Sequence, residues 1–388
     1  MRILHVIGWL AGRYGGPVFA LKTMASGLAE RGHTVHIVTT DADGPGLLDV
    51  PTGRPVDIDG YSVTYFHLRP PHRFLFAPGL SRYLFDHVRD YDLVHIHSLY
   101  RFPNLAASTA ARRRGVPYIV RPHGSLEPVH RRRRQMWKSV YHTLVENRNI
   151  KGAAAIHYSS DKERDGSLIG EWMPPSFVVP NPVDTNLLRR QMSEGVCPTL
   201  PEGPRITFLG RMTKNKGLDL LLDAFALLAD RFPDAQLVIA GPDSDGTGTS
   251  VARRAFEIGL EGRVHVIGPV YGPDRAALVG TSRAFALLSD SENFGVSAVE
   301  AMALGVPVVL SDQVGIRTLI ETDQAGMVVP QDPGQASAAL ARYLESETAA
   351  VADGARAAAT VEREFSVGVV AARLEQMYTE ILQGETIE

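Results

Sequence analysis

Two cations, Arg211 and Lys216, stand in Gly210-Arg211-Met212-Thr213-Lys214-Asn215-Lys216-Gly217, directly after the apolar run Arg205–Leu209. A helical pattern starts near Leu218. A strand end, two fixed positive charges and a helix N-terminus at one point suit a diphosphate. A Walker loop is ruled out by the missing glycine spacing and Lys-Ser/Thr pair. The competing reading is a solvated basic turn. A second group is Ser291-Glu292-Asn293-Phe294-Gly295-Val296-Ser297-Ala298-Val299-Glu300. It puts Glu292 in a loop after a strand ending near Asp290, with Glu300 about one turn into the next helix. The amides of Asn293, Phe294, Gly295 and on to Ser297 then point out of that loop toward the cleft. Glu300 has two readings, a ligand contact or the partner of Ser297 in a capping box. Near the amino end, Ile7-Gly8 leads to Gly12, Gly15 and Gly16, with Pro17 opening a helix. Such glycines let backbone amides approach an anion. The spacing is not G-x-G-x-x-G, and no suitably placed acidic residue follows, so a dinucleotide site is not expected.

These groups need a scaffold that gathers strand ends, and the chain reads as one. Strand candidates are Ile3–Ile7, Thr34–Thr39, Val63–Phe66, Leu93–His97, Tyr118–Arg121, Ala154–Tyr158 and Phe177–Val179. A second series is Arg205–Leu209, Leu237–Ala240, Val264–Ile267, Ala284–Leu288, Val306–Leu310 and Gly326–Val329. Between them lie helical stripes such as Phe19, Leu21, Met24, Leu28. Apolar strands alternating with helices predict parallel sheets covered on both faces. The expected class is α/β, with two doubly wound, Rossmann-like domains. Their bounds are 1–185 and 205–368, joined by a Pro/Gly-rich linker at 186–204. A closing amphipathic helix falls within 369–388. In such sheets ligands bind beyond the carboxyl ends of the strands.

Composition narrows the function. The 388 residues carry 40 Lys and Arg against 43 Asp and Glu, so the basic excess of a nucleic-acid binder is missing. The single cysteine, Cys197, excludes an internal disulfide framework and a multi-cysteine zinc site. A reducing, cytoplasmic location is expected. No run of apolar residues is long enough for a spanning helix. The opening MRILHVIGWL reads as a first strand rather than a signal peptide.

The glycine turn, Arg211 with Lys216, and Glu292 followed by Glu300, in that order, resemble glycosyltransferase family 4. The resemblance covers essentially the whole chain. It extends to Arg121-Pro122-His123-Gly124, to Asn181-Pro182-Val183-Asp184 and to Glu300-Ala301-Met302-Ala303-Leu304-Gly305. It implies the GT-B architecture, two domains facing across a cleft, and retention at the anomeric carbon. By that resemblance Arg211 and Lys216 hold the diphosphate of a UDP- or GDP-sugar. Glu300 takes the ribose, and Glu292 with the amides of Asn293, Phe294 and Gly295 reads the sugar. Gly15 and Gly16 close on phosphate and acceptor, His123 lies near the transferred sugar, and Gly268 with Ile267 lies near the base. The expected partners are this donor and a glycan or lipid-linked acceptor, with no nucleic acid. No cofactor is expected, because fixed cations offset the leaving-group charge that a metal would otherwise meet. The alternatives are a nucleotide-sugar epimerase of the same fold and a non-catalytic scaffold.

Twelve of thirteen histidines precede the expected linker, with His95 and His97 two apart on one strand. Without clustered carboxylates they do not spell a metal site. Asp41-Ala42-Asp43 and Asp243-Ser244-Asp245 read as turns. From Arg121 to Ile150, seven cations meet two carboxylates, and Arg131, Arg132, Arg133 and Arg134 are consecutive. A helical stripe with Trp137, Val140 and Tyr141 follows. This segment is either a solvated rim around a core helix, or an acceptor-docking and peripheral membrane surface at the inner face.

Overall fold

The computed structural model describes residues 1–126, 141–167, 173–198 and 200–384. The chain forms two compact units. One is Met1–Pro182 together with Val367–Glu388, the other Val183–Ser366.

The first unit is built on an eight-stranded sheet. Its strands run in the spatial order Ser176–Val178, Ala155–Tyr158, Tyr118–Arg121, Leu93–His97, Arg2–Val6, Thr34–Thr40, Tyr61–Phe66, Pro55–Ile58. All neighbours are parallel except the last pair, which is antiparallel. Pro55–Ile58 escapes sequence reading because its alternating side chains stay partly exposed on an edge, where proline is tolerated. The Asp41–Asp43 turn also pairs, as a short hairpin of Ala42–Asp43 with Gly46–Leu47. The first helix, Gly16–Glu30, buries Val18, Leu21, Met24, Ala25 and Leu28. Phe19, expected on that stripe, is 42% exposed, since the stripe runs through its neighbour Val18.

Helix Val367–Gln383 belongs to this first unit. Its buried stripe is Val370, Leu374, Met377 and Tyr378. Gly27 permits the approach, because a Cβ there would meet Val367 Cγ1 at 2.6 Å. Arg31 Nε donates to Glu375 at 2.7 Å across the same contact.

The second unit has a six-stranded parallel sheet. Its order is Val264–Ile267, Gln236–Ala240, Arg205–Leu209, Ala284–Leu287, Val308–Ser311, Gly326–Val329. In both sheets the order reverses beside the first strand, the place where such folds bind ligands. The stretch expected as a linker opens instead with a helix of this unit, Thr185–Glu194. Asp184 caps it, accepting from Leu187 N–H at 2.8 Å, and Leu188 is buried. The prolines that suggest a linker all lie beyond Val196, too late to break the helix. Among the described residues no helix is long and apolar enough to cross a membrane.

Candidate active site

The second unit gathers its charged groups at the reversal point. Strand Arg205–Leu209 ends in Gly210 and the exposed Arg211, and the loop then tightens into a short 3-10 turn, Lys214–Lys216. Gly217, at φ 66°, starts helix Leu218–Ala226. A Cβ on Gly217 would overlap the Leu288 carbonyl, so only glycine lets this loop press on the end of strand Ala284–Leu287. Asp290 N–H donates to the Asn215 carbonyl at 2.9 Å and seals the contact. Lys216 Nζ and Glu292 Oε2 thereby form an ion pair, each side chain about one-fifth exposed (19% and 20%). Glu292 is held from behind as well. Its N–H donates to Gln313 at 3.1 Å, and its carbonyl accepts from Gly315 at 2.9 Å.

Helix Val296–Ala303 decides between the two readings of Glu300. Its N-cap is Gly295 at φ 92°, with no side-chain cap. Ser297 therefore sits inside the helix, and the capping box does not form. Glu300 instead pairs with Arg275 Nη1 at 2.9 Å, the two side chains 12% and 21% exposed. Burial pushes the Glu300 carboxyl above its ordinary range, and Arg275 pulls it back. Arg275, on helix Gly272–Gly280, was not legible in the sequence, since nothing in its spacing ties it to Glu300. The Phe294 ring is core, edge-on to Phe365 at 5.3 Å, so only its backbone remains for a ligand. Gly268 follows strand Val264–Ile267 with open space beside its Cα. Asp243 accepts from Thr249 N–H and Oγ1 at 3.0 and 2.8 Å, and Asp245 from Thr247 Oγ1 at 2.5 Å. Both carboxylates thus serve the first turn of helix Thr247–Glu257, as turn residues do.

In the first unit the strand ends carry strained backbone. Ser98 (φ 71°), Tyr100 (φ 63°) and His123 (φ 49°) all adopt the left-handed region, as does Gly124 (φ 76°). Non-glycine residues held there need surrounding support, and such positions cluster at functional sites. Gly15, at φ 71°, caps helix Gly16–Glu30, and among the described residues nothing beyond its chain neighbours lies within 4 Å of where its Cβ would be. Arg131, Arg132, Arg133 and Arg134 lie outside the described residues, as do Trp137 and Val140.

Behind His123 lies a buried array of imidazoles. His97 Nδ1 is 3.2 Å from His123 Nε2, and His97 Nε2 is 3.0 Å from His5 Nδ1. A second chain joins Val179 O, His157, His95 and the Tyr378 hydroxyl, with links of 2.7, 3.2 and 2.8 Å. Burial and the neighbouring Arg121 guanidinium hold these rings neutral, His5 being pulled down to about 3. The tautomers of the second chain follow. A carbonyl only accepts, so His157 donates from Nε2 and accepts at Nδ1. His95 then donates from Nε2, and Tyr378 donates to His95 Nδ1. His5, His95 and His97 bring nitrogens within 4.8 Å of one another. All of these except the buried, unpartnered His5 Nε2 are already hydrogen-bonded. A metal ion would have to break those bonds beside a buried guanidinium.

The comparisons agree with this geometry. Residues 198–359 match the family model for glycosyl transferases group 1, and residues 15–182 match that for the glycosyl transferase 4-like domain. The chain belongs to this glycosyltransferase family, with the GT-B fold. It is a glycosyltransferase. It is 29% identical over 362 residues to the GDP-mannose:cellobiosyl-diphosphopolyprenol alpha-mannosyltransferase of Xanthomonas oryzae pv. oryzae, covering 89% of each chain. It is 28% identical over 378 residues to the phosphatidyl-myo-inositol mannosyltransferase of Mycobacterium tuberculosis, covering 94% of this chain and 93% of that one. Among solved structures, the sucrose-phosphate synthase of Thermosynechococcus elongatus superposes with a TM-score of 0.76 at 19% identity, covering 99% of this chain and 100% of that one. Anabaena Alr3699/HepE, solved with UDP and glucose, gives 0.74 at 19% identity, covering 98% and 99%.

Proposed function

We propose that the protein transfers a hexose, with retention at the anomeric carbon, from a nucleoside-diphosphate sugar to a hydroxyl of a lipid-linked acceptor. Its place would be surface polysaccharide or glycolipid assembly. The observation that carries this reading is the pairing of Lys216 with Glu292 and of Arg275 with Glu300 around one strand-order reversal. An incoming diphosphate takes over Lys216 and draws on Arg211, which frees the Glu292 carboxylate to accept from sugar hydroxyls. Glu300 accepts from the ribose. Departure of the diphosphate leaves extra negative charge, which Lys216, Arg211 and the N-terminus of helix Leu218–Ala226 offset. The leaving phosphate takes the acceptor proton on the same face, so no enzyme nucleophile is needed. His123 contacts the transferred sugar.

GDP-mannose is the first donor to test, since it is named in the Xanthomonas relative and the Mycobacterium relative is likewise a mannosyltransferase. The experiment titrates GDP, UDP and ADP by thermal shift, then follows transfer to a prenyl-diphosphate disaccharide or a phosphoinositide in EDTA. A diphosphate at 100 times its Kd should add about 2.7 kcal/mol. An α-linked product formed in the presence of EDTA supports the reading. Donor turnover without acceptor would identify an epimerase, and no nucleotide stabilisation would leave only a scaffold.

Glu300→Gln tests the ribose contact, since the amide oxygen still accepts from Arg275. A charge-assisted hydrogen bond to the ribose is worth about 1.5–3 kcal/mol, so nucleoside-diphosphate affinity should fall roughly 10- to 100-fold. The melting temperature should stay nearly constant. Calorimetry showing unchanged affinity would return Glu300 to a purely structural partner of Arg275.

A further inference from the structure

Glu163 is 1% exposed and uses both carboxylate oxygens on the loops around His123. Its Oε1 accepts from the Gly124 N–H at 2.6 Å. Its Oε2 accepts from the Ser159 N–H at 2.8 Å and the Ser159 hydroxyl at 2.7 Å. The spacing Ser160-x-x-Glu163 fits a capping box, but that accounts only for the backbone, where Glu163 N–H donates to Ser160 Oγ at 3.1 Å. The carboxylate is engaged elsewhere, and burying a charge without purpose is costly.

What it holds is a segment under strain. His123 and Gly124 are consecutive left-handed residues, and a non-glycine side chain leaves that region unless it is pinned. Two grips do so. His97 Nδ1 takes the His123 ring through Nε2 at 3.2 Å, which leaves Nδ1 for other partners. Glu163 takes the next amide of the backbone. Arg121, buried in the preceding strand, donates to Asn181 Oδ1 at 2.8 Å and adds an attractive charge for Glu163.

We propose that Glu163 is a positioning residue for His123, fixing the left-handed His123-Gly124 turn through the Gly124 amide so that the imidazole meets the sugar in one orientation. This rests on the reading of His123 as a contact to the transferred sugar. A misplacement of about 1 Å at such a contact can cost on the order of 100-fold in rate.

The test compares Glu163→Gln, His123→Ala and the double variant, with spectra of protein carrying 15N-labelled histidine. Glu163→Gln should lower kcat about 30- to 100-fold while donor KM and nucleoside-diphosphate affinity stay within about threefold. The double variant should be no slower than His123→Ala alone, because the two act through one contact. The His123 ring signals, assigned by their loss in His123→Ala, should shift while those of His95 and His157 stay. Multiplying losses, or unmoved His123 signals, would overturn the proposal. If Glu163→Gln does not fold, Ser159→Ala removes one of the three donors. It should give about a three- to tenfold loss, again absent in the His123→Ala background. A loss there that multiplies would overturn it equally. If the wild-type protein transfers no sugar, the functional reading fails, and the spectra alone decide the positioning.

Discussion

Lys216→Ala lowers turnover by roughly 100- to 1000-fold, the loss typical of removing one preorganised group that meets developing negative charge. The structure adds a complication, because Lys216 also neutralises Glu292. Its removal leaves a partly buried carboxylate facing the site, which by itself repels a diphosphate. Glu292→Gln separates the two effects. Glu292→Gln is itself slowed by loss of the sugar contact, so it is the reference: if Lys216 serves only to quiet Glu292, adding Lys216→Ala to Glu292→Gln costs nothing further. If Lys216 acts on the leaving group, the double variant is far slower than Glu292→Gln alone. The second outcome is expected, with nucleoside-diphosphate affinity weakened in both lysine variants. Stability should change little, since partly exposed pairs contribute about 0–1 kcal/mol. Near-normal turnover in Lys216→Ala would remove this lysine from the chemistry.

Acid destabilises the first unit steeply. His5, His95, His97, His123 and His157 are all held well below the ordinary imidazole value, first by burial. In the unfolded chain they titrate near 6.5, so the unfolded state binds more protons as pH falls. Stability is therefore complete above about pH 6.5 and is lost progressively below it, down towards the folded values. Each histidine forfeits about 1 kcal/mol between pH 6.5 and 5.5, and five together about 5 kcal/mol. That is comparable with the whole stability of many domains. All three tryptophans, Trp9, Trp137 and Trp172, lie within residues 1–182, so indole fluorescence reports this unit. Denaturant midpoints measured from pH 7.5 to 5.5 should fall steeply, and His157→Gln should flatten the slope by about one proton. Constant midpoints across that range would show that the histidines are not neutral in the fold.

Most of the strands, and the residue types gathered at their ends, were legible in the amino-acid sequence alone; Pro55–Ile58 and the Ala42–Asp43 hairpin were not. Apolar runs such as Leu93–His97 and Arg205–Leu209 recur as written, with Lys216 and Glu292 in the loops beyond strand ends and Glu300 about one turn into a helix, as their spacing predicts. These are short-range features, set by periodicity and turn chemistry over a few residues. Pairings were decided only by the tertiary structure. Lys216 meets Glu292 across 76 residues, and His5 meets His97 across 92. Both depend on strand order and register, which local pattern does not encode. Glu300 shows the limit most plainly. Ser297-x-x-Glu300 fits a capping box, but Gly295 begins the helix two residues earlier, because a left-handed glycine there lets the loop pack against Val314. The carboxylate is thereby left to Arg275. Glu163 divides in the same way. Its backbone obeys the local motif, while its side chain answers to Gly124, 39 residues away, because a strained turn there needs an acceptor for its amide.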